Sequence, residues 1–462
     1  MPSQPSADIA IIGLGVMGCN LALNFADHGY NVVAYDAFPQ VAEKASQELG
    51  ERVTVCSSLG LLVAALKKPA QIMMMVKAGQ VVDDALASLT PLLSAGDIVI
   101  DGGNSFYRDT ERRQAEMEAR GLAFIGLGVS GGETGARFGP ALMGGGAPEA
   151  LSRVEKAFSA IAAKAKDGTG CYVAHGSGGA GHFVKTVHNG IEYALMQLLA
   201  EAYLMLKGPA GLSHQAIADR WRQWNQGPSA SYLLEISADI AATIDPDSGN
   251  PLVEMIRDVA GHKGTGRWTT EAGLDYGVAV PTIAAAFMAR AISGLPRLDL
   301  TKQTIESGST DHALADALEL AFPAAMFAAY LQGLELIEVA SNENDWDIDL
   351  AKVAKGWRSG CIIRSVMLDP IADSVGQGSV LESAYGRDLL QLAEQPLRAV
   401  VQQAAASGTP VPAFYSVLGW LDGRRSSCLG ANFIQGQRDY FGAHTFERID
   451  RSGHFHFNWQ SN

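Results

Sequence analysis

ADIAIIGLGVMGCNLALNFADHGYNVVAYD, residues 7–36, reads as one folding unit. Residues 7–13 are a short apolar run suited to a buried strand, and the run meets Gly13-Leu14-Gly15-Val16-Met17-Gly18. The amphipathic stretch that follows stops at Gly29, and a second apolar strand over 31–35 closes on Asp36. Strand, G-x-G-x-x-G turn, helix, and a strand ending in an acid make the dinucleotide-binding arrangement. Gly13 makes the tight turn, Gly15 admits a pyrophosphate close to the backbone, and Gly18 lets helix pack on strand. The anion then rests on the helix N-terminus, with Leu14, Val16 and Met17 around it.

Working outward, apolar runs at 52–56, 71–76, 97–101 and 122–126 alternate with helical segments. Runs apolar on both faces predict a parallel sheet covered on both sides. Three of them end in small and polar residues: Val76-Lys77-Ala78-Gly79, Asp101-Gly102-Gly103-Asn104-Ser105 and Gly128-Val129-Ser130-Gly131-Gly132. In such sheets ligands bind beyond the carboxyl ends of the strands, so these segments should line a shared crevice. One glycine cluster alone reads equally well as a turn; three at one sheet edge point to a ligand.

From about residue 179 to 426 the chain reads as helical and rich in Ala and Leu. Its first stretch is GHFVKTVHNGIEY, residues 181–193. Lys185, His188, Asn189 and Glu192 fall at i, i+3, i+4 and i+7 and share one helix face, while Phe183, Val184, Val187, Ile191 and Leu195 take the others. A solvated face is the ordinary reading of such charges. Here the surrounding helix is too apolar to lie open in water, and burying these groups without partners is costly. Further on, His262-Lys263-Gly264-Thr265-Gly266-Arg267-Trp268-Thr269 offers a cation, a hydroxyl and backbone amides, which suit a phosphate or a surface turn. Arg290 lies among the apolar neighbours of AAAFMARAI, and a buried arginine calls for an anion. From residue 427 the chain turns polar and Gly-rich, with aromatics that need something to bury them.

The length of 462 residues predicts two or three domains. A net charge of −14 without any basic tract speaks against nucleic-acid or anionic-membrane partners. Cys19, Cys56, Cys171, Cys361 and Cys428 are scattered and odd in number, so neither a disulfide framework nor a metal site is expected. No signal peptide and no run of 18 apolar residues is visible, and a cytoplasmic location is expected.

Taken together, DGGNSFYRDT, GVSGGETGARFGPALM, GAGHFVKTVHNGIEY, KGTGRWT, GCIIRS and QRDYFGAHT resemble, in order and over nearly the whole chain, the 6-phosphogluconate dehydrogenases. The resemblance implies an α/β Rossmann-type coenzyme domain (1–178), a large all-α domain for substrate and dimerisation (179–426), and an extended C-terminal tail (427–462) reaching the partner subunit of a homodimer. It implies oxidative decarboxylation of 6-phosphogluconate without a metal, with Lys185 as base and Glu192 as acid. Asn104, Ser130, Gly131, Gly132, His188, Asn189, Tyr193, Lys263, Thr265 and Arg290 would hold substrate, joined by Arg438 and His444 of the other chain. The cofactor would fall to residues 13–18, Asp36, Val76, Lys77, Ala78 and Asn104. Shorter β-hydroxyacid dehydrogenases share the glycine fingerprint and the lysine helix; the added helical domain and the QRDYFGAH tail separate this chain from them.

The departures from the family pattern are GLGVMG, where Ala often replaces the second glycine, GPALMGGG for a proline-containing version, and residues 36–38. Where the family carries Asn-Arg-Thr, with the arginine over the 2′-phosphate of NADP, this chain has Asp36-Ala37-Phe38. NAD is therefore the expected oxidant and NADP a secondary one. The alternative is an Asp36 turned outward, with Lys44 or Arg52 meeting the phosphate.

Overall fold

The structure is a computed structural model that describes residues 6–261, 264–298 and 310–459. The first part alternates β1 (Ile9–Ile12), α1 (Val16–Asp27), β2 (Val32–Tyr35), α2 (Pro39–Leu49), β3 (Val53–Val55), α3 (Leu59–Ala65), β4 (Gln71–Met74), α4 (Gln80–Leu89), β5 (Ile98–Asp101) and α5 (Tyr107–Glu118). It continues through β6 (Ala123–Ser130), α6 (Gly132–Phe138), β7 (Ala141–Gly146), α7 (Pro148–Ile161) and β8 (Tyr172–Ala174). The strands form one eight-stranded sheet in the order β3-β2-β1-β4-β5-β6-β7-β8. β1 pairs with β2 on one side and β4 on the other, so the strand order reverses beside the glycine turn. A crevice opens at such a reversal.

Strands β1 to β6 are parallel, but the sheet is not wholly so. β7 runs antiparallel to β6, with Ser130 opposite Ala141 and Ile125 opposite Gly146, and β8 is parallel to β7. The sequence hides β7 because three of its residues are glycines, poor strand formers by themselves. Their use is tertiary. A Cβ on Gly145 would lie 2.4 Å from the amide nitrogen of Gly181, and one on Gly181 would lie 2.5 Å from Met143 O and 2.6 Å from Gly126 O. A helix thus rests with its backbone directly on β6 and β7.

That helix is α8 (Ala180–Lys207), 28 residues long and buried around most of its circumference. After it come α9 (His214–Trp224), α10 (Tyr232–Ala242), α11 (Leu252–Met255), α12 (Thr265–Asp275), α13 (Pro281–Ser293), α14 (His312–Glu343), α15 (Leu350–Gly356), α16 (Leu368–Ser374), α17 (Ala384–Ser407) and α18 (Pro412–Arg425), of which α9, α10, α12, α13, α14 and α18 pack on α8. α14 crosses α8 where Gly333 faces Ile191, close enough that a Cβ there would meet its Cδ1 at 2.5 Å. α14 holds no unbroken run of 18 apolar residues, yet by length and mean composition it is apolar enough to cross a membrane. The share of its most apolar window buried inside the protein is 89%, so that apolarity serves the core. The carboxylate of Glu201 on α8 accepts hydrogen bonds from Ala413 N and Phe414 N and so caps α18.

The expectation of a poorly helical, extended tail is also corrected. α19 (Ala431–Gly442) and a hairpin of β9 (Phe446–Glu447) and β10 (His454–Phe455) converge on one buried carboxylate. Asp439 accepts from Thr445 N, His456 Nδ1, Phe457 N and Trp459 Nε1 at 2.8–3.0 Å. Local hydrogen bonding replaces the apolar core that so short a segment lacks. Leu429, Phe433, Ile434, Tyr440 and Phe441 remain more than half exposed.

The contact between α8 and the sheet makes a direct prediction. Gly181→Ala forces a methyl into three backbone atoms that cannot rotate away, and overpacking of this kind costs about 1–3 kcal/mol or somewhat more. Urea unfolding should show that loss, whereas Gly419→Ala, in α18 with open space and no left-handed backbone, should lose less than half as much. Equal stability of Gly181→Ala and the parent chain would refute the contact.

Candidate active site

Strands β1, β4, β5 and β6 all end at the same sheet edge, and each delivers one loop to it. After β1, Gly13 takes φ +98°, and a Cβ on Gly18 would lie 1.9 Å from the Gly13 carbonyl oxygen, so both positions exclude side chains. Gly15 meets nothing within 4 Å of where its Cβ would stand, and it precedes α1 without any side-chain cap. Free N–H groups at an uncapped helix start, with open space before them, fit a pyrophosphate. Val16 is exposed beside this opening, whereas Leu14 is buried and Met17 packs inward. After β2 the Asp36 carboxylate turns toward the glycine loop rather than outward. Its Oδ2 accepts from Leu14 N at 2.7 Å and its Oδ1 from Phe38 N at 2.9 Å. Val76, Lys77 and Ala78 follow β4, part-exposed or exposed at the same edge.

After β5, Asp101 pins the next loop by accepting from Gly103 N at 3.0 Å and Ser105 Oγ at 2.6 Å, which leaves Asn104 exposed at its tip. After β6, Ser130 is buried, and Gly131 and Gly132 take φ of +123° and +61°, a sharp turn into α6. A Cβ on Gly131 would meet Gly360 O at 2.5 Å, so a loop of the helical part supports this turn from behind.

The helix face foreseen from the sequence lies against that turn. Gly128 abuts the Cβ of Lys185 at a would-be 2.4 Å, which sets the amine beside β6. Lys185, His188 and Asn189 are buried, so the solvated face does not occur. Lys185 Nζ is 3.5 Å from His188 Nδ1, and His188 Nε2 is 3.1 Å from Ser130 Oγ. Asn189 Oδ1 lies 3.2 Å from His188 Nδ1, and Glu192 Oε2 lies 4.0 Å from it. The edge of the Trp357 ring meets the imidazole at 5.7 Å between centroids.

Burial dominates the electrostatics. It drives the Lys185 ammonium down to about 8, against the opposing pull of Glu192 and Cys361. Burial, and then the charge of Lys185, holds His188 well below its ordinary value, so the imidazole is neutral. Burial raises the Glu192 carboxyl, opposed by Lys185 and Arg290. An amine that sheds its proton near neutrality and a carboxyl that keeps one longer than usual stand on one face, the donor set of acid–base chemistry.

Beyond Glu192, the Arg290 guanidinium stacks 3.5 Å over the Tyr193 ring and donates to Gly261 O. Arg290 is half-buried rather than enclosed as the sequence suggested, because Tyr193 covers only one of its faces. Thr265 is buried at the start of α12, whose preceding Gly264 is left-handed. The Thr269 hydroxyl donates to Thr186 O and clasps α12 onto α8 at Gly190. Lys263 lies outside the described residues. Arg438 and His444 do not join this cluster in the single chain; their partners, Gln435 and Phe441, lie in the tail itself.

Sequence reasoning missed the supports: Trp357, Gly360, and Thr110, whose hydroxyl lies 2.7 Å from His182 Nδ1. GCIIRS was the one signal pointing at the first two. Among the described residues no group of three His, Cys, Asp or Glu stands close enough to hold a metal.

Comparison with known proteins places this arrangement. The profile described as the NAD binding domain of 6-phosphogluconate dehydrogenase matches residues 8–176, and that of the 6-phosphogluconate dehydrogenase C-terminal domain matches residues 181–459. The mouse protein named 6-phosphogluconate dehydrogenase, decarboxylating, is 44% identical over 468 residues, 98% of this chain and 96% of its own. A Bacillus subtilis relative named as NADP(+)-dependent is 42% identical over 463 residues, 98% of each chain. The solved 6-phosphogluconate dehydrogenase of Plasmodium falciparum, described as apo, with its cofactor NADP+ and with its substrate 6-phosphogluconate, superposes with a TM-score of 0.93 at 35% identity. It covers 98% of this chain and 100% of that one. On the strength of both halves and the full-length relatives, this chain belongs to the 6-phosphogluconate dehydrogenase family.

Proposed function

We propose that this chain oxidises and decarboxylates 6-phosphogluconate to ribulose 5-phosphate and CO2, with a nicotinamide dinucleotide as hydride acceptor. The observation that carries the reading is the buried Lys185, held beside neutral His188 and the Ser130 turn, with Glu192 two helical turns away. Neutral Lys185 takes the proton of the C3 hydroxyl as hydride leaves C3. The protonated amine then polarises the C3 carbonyl while the C1–C2 bond breaks and CO2 departs. Glu192 donates a proton to the former C2 of the resulting enediol, the carbon that becomes C1 of ribulose 5-phosphate. Bound nicotinamide supplies only the acceptor for the hydride, and residues 13–18, Asp36, Val76–Ala78 and Asn104 would hold it. Ser130, Gly131, Gly132, His188 and Asn189 orient the sugar acid, and Tyr193, Lys263, Thr265 and Arg290 take its phosphate.

We infer that NAD is preferred, although the Bacillus relative is named for NADP and the Plasmodium structure holds NADP+. Asp36 faces the glycine loop, and the cations that could answer a 2′-phosphate are engaged elsewhere. Lys44 pairs with Glu48 at 3.6 Å and Arg52 with Asp27 at 3.2 Å. Two like charges about 4 Å apart cost roughly 4 kcal/mol at an effective dielectric near 20, and solvent in an open cleft reduces this to about 1–3 kcal/mol. The tail supports a homodimer: its exposed apolar side chains find no cover among the described residues, and Arg438 and His444 would complete the partner's site.

Four outcomes test this. Lys185→Met and Glu192→Gln should each cut turnover by at least about a hundredfold while cofactor binding persists, and kcat/KM of the parent enzyme should fall below about pH 8. The same Lys185→Met chain should be more stable at pH 7 by about 1–3 kcal/mol. The native state binds this proton less tightly than the unfolded chain, so the penalty is full below about 8 and is released as pH rises toward the unfolded value of 10.5. Residual turnover above a tenth would remove the residue from acid–base duty. Deleting the chain from Gly436 onward should raise the KM for 6-phosphogluconate sharply; full activity, or a parent chain that sediments as a monomer, contradicts the shared site. Finally, kcat/KM should favour NAD over NADP by roughly tenfold to a hundredfold, and Asp36→Asn with Ala37→Arg should reverse the order. Equal or better use of NADP by the parent enzyme refutes the role of Asp36.

A further inference from the structure

One fully buried guanidinium lies beneath the crevice, outside every group used so far. Arg113 of α5 has no exposed surface. Its Nε and Nη2 donate to the two oxygens of Asp83 on α4 at 2.8 and 2.9 Å, and Nη2 also donates to Gly79 O at 3.0 Å. Gly79 closes the loop that follows β4. The third nitrogen, Nη1, has no hydrogen-bond partner among the described residues and lies 3.7 Å from Asp101 Oδ2. Asp101 is itself without exposed surface and holds the loop that carries Asn104. Above the guanidinium the two loops touch: a Cβ on Gly103 would stand 3.0 Å from Val76 O.

The same helix reaches the catalytic face. One turn before Arg113, Thr110 Oγ1 lies 2.7 Å from Nδ1 of His182, which is buried one turn before Lys185 on α8. Arg112 adds a bond to Asp83 at 2.9 Å, so two arginines and two aspartates balance in charge. Arg113, first among several donors, holds the Asp83 carboxyl down at about 2. No lysine could replace this geometry, since an ammonium cannot present a planar fork to Asp83 and a third donor to Asp101 together.

We propose that Arg113 is a positioning residue that joins the loop expected to hold the cofactor (76–79) to the loop expected to meet substrate (102–105), so that occupancy of one tightens the other. It touches neither ligand. Its Nη1, ion-paired with Asp101 at 3.7 Å but short of a hydrogen bond, is the element that can close when both loops are loaded. The inference rests on the proposed function for the identity of the ligands. Coupling between sites is reciprocal, so it is measurable from either ligand.

The test measures the dissociation constant of 6-phosphogluconate with and without saturating NADH, a pair that cannot turn over. The parent enzyme should bind the sugar acid at least about fivefold tighter with NADH present, the lower end of ordinary coupling. Arg113→Lys and Asp83→Asn should bring that ratio close to one and lower kcat/KM by about tenfold to a hundredfold, the scale of a misplaced reacting group. A merely structural residue would lower the melting temperature and leave the ratio unchanged. Should Arg113→Lys fail to fold, Asp83→Asn, at a partly exposed position, decides alone. A folded variant with the parent ratio, or a parent ratio of one, overturns the inference. A parent enzyme that neither binds nor oxidises 6-phosphogluconate overturns the proposed function instead. In that case Arg113 is judged by NADH affinity, which must weaken at least about threefold in Asp83→Asn for its positioning role to stand.

Discussion

Everything in the site depends on how closely α8 approaches β6 and β7. An α-helix normally rides on a sheet at a distance set by side chains on both surfaces. Here Gly126, Gly128, Gly145 and Gly181 remove those side chains, and peptide groups meet directly. Each glycine in a helix or strand interior costs about 0.5–1 kcal/mol in conformational freedom, so the arrangement is locally unfavourable. Dense backbone packing offsets that cost, and its consequence is positional: the Lys185 stem is pressed on Gly128, and one turn later His188 meets Ser130.

That geometry also shapes the electrostatics. Lys185 loses water on nearly every side and drops to about 8, while Glu192, at the rim, is raised. The two environments bring the proton affinities of an amine and a carboxyl toward each other, which narrows the energy gap any transfer between bound groups must cross. His188, neutral and wedged between the amine and Ser130, adds shape and hydrogen bonds without adding charge. A charge in its place would shift both neighbours the same way, returning one toward its solution value and driving the other further from it.

Much of this was legible in the residues. Gly13, Gly15 and Gly18 announced their turn because each answers a separate steric demand, and the 3.6-residue spacing brought Lys185, His188, Asn189 and Glu192 to one face. β7 was not legible, since glycines that disfavour a strand locally are retained for a contact with residues some 36 positions later, between Gly145 and Gly181. The tail misled for a related reason. Composition reports on apolar cores, but α19 and its hairpin are organised by the single carboxylate of Asp439. Arg290 and Tyr193 were foreseen separately; their stacking was not, because no linear pattern relates positions on two helices. Arg113 was not singled out by any motif, and only its fully enclosed position sets it apart from Arg112.

The glycine contact has a consequence in the genetic code. Every single-base missense change in a glycine codon yields alanine, valine, serine, cysteine, tryptophan, arginine, aspartate or glutamate, and all of these carry a Cβ. A leucine such as Leu195, in the core of the same helix, can drift to methionine, isoleucine or valine and still fill its space. Gly126 and Gly181 have no such neighbours, since each already faces backbone or ring atoms inside van der Waals range. Lineages carrying this architecture can therefore vary its core by small steps but cannot explore alternatives at this junction one nucleotide at a time. The spacing between the lysine and the serine turn is inherited as a unit.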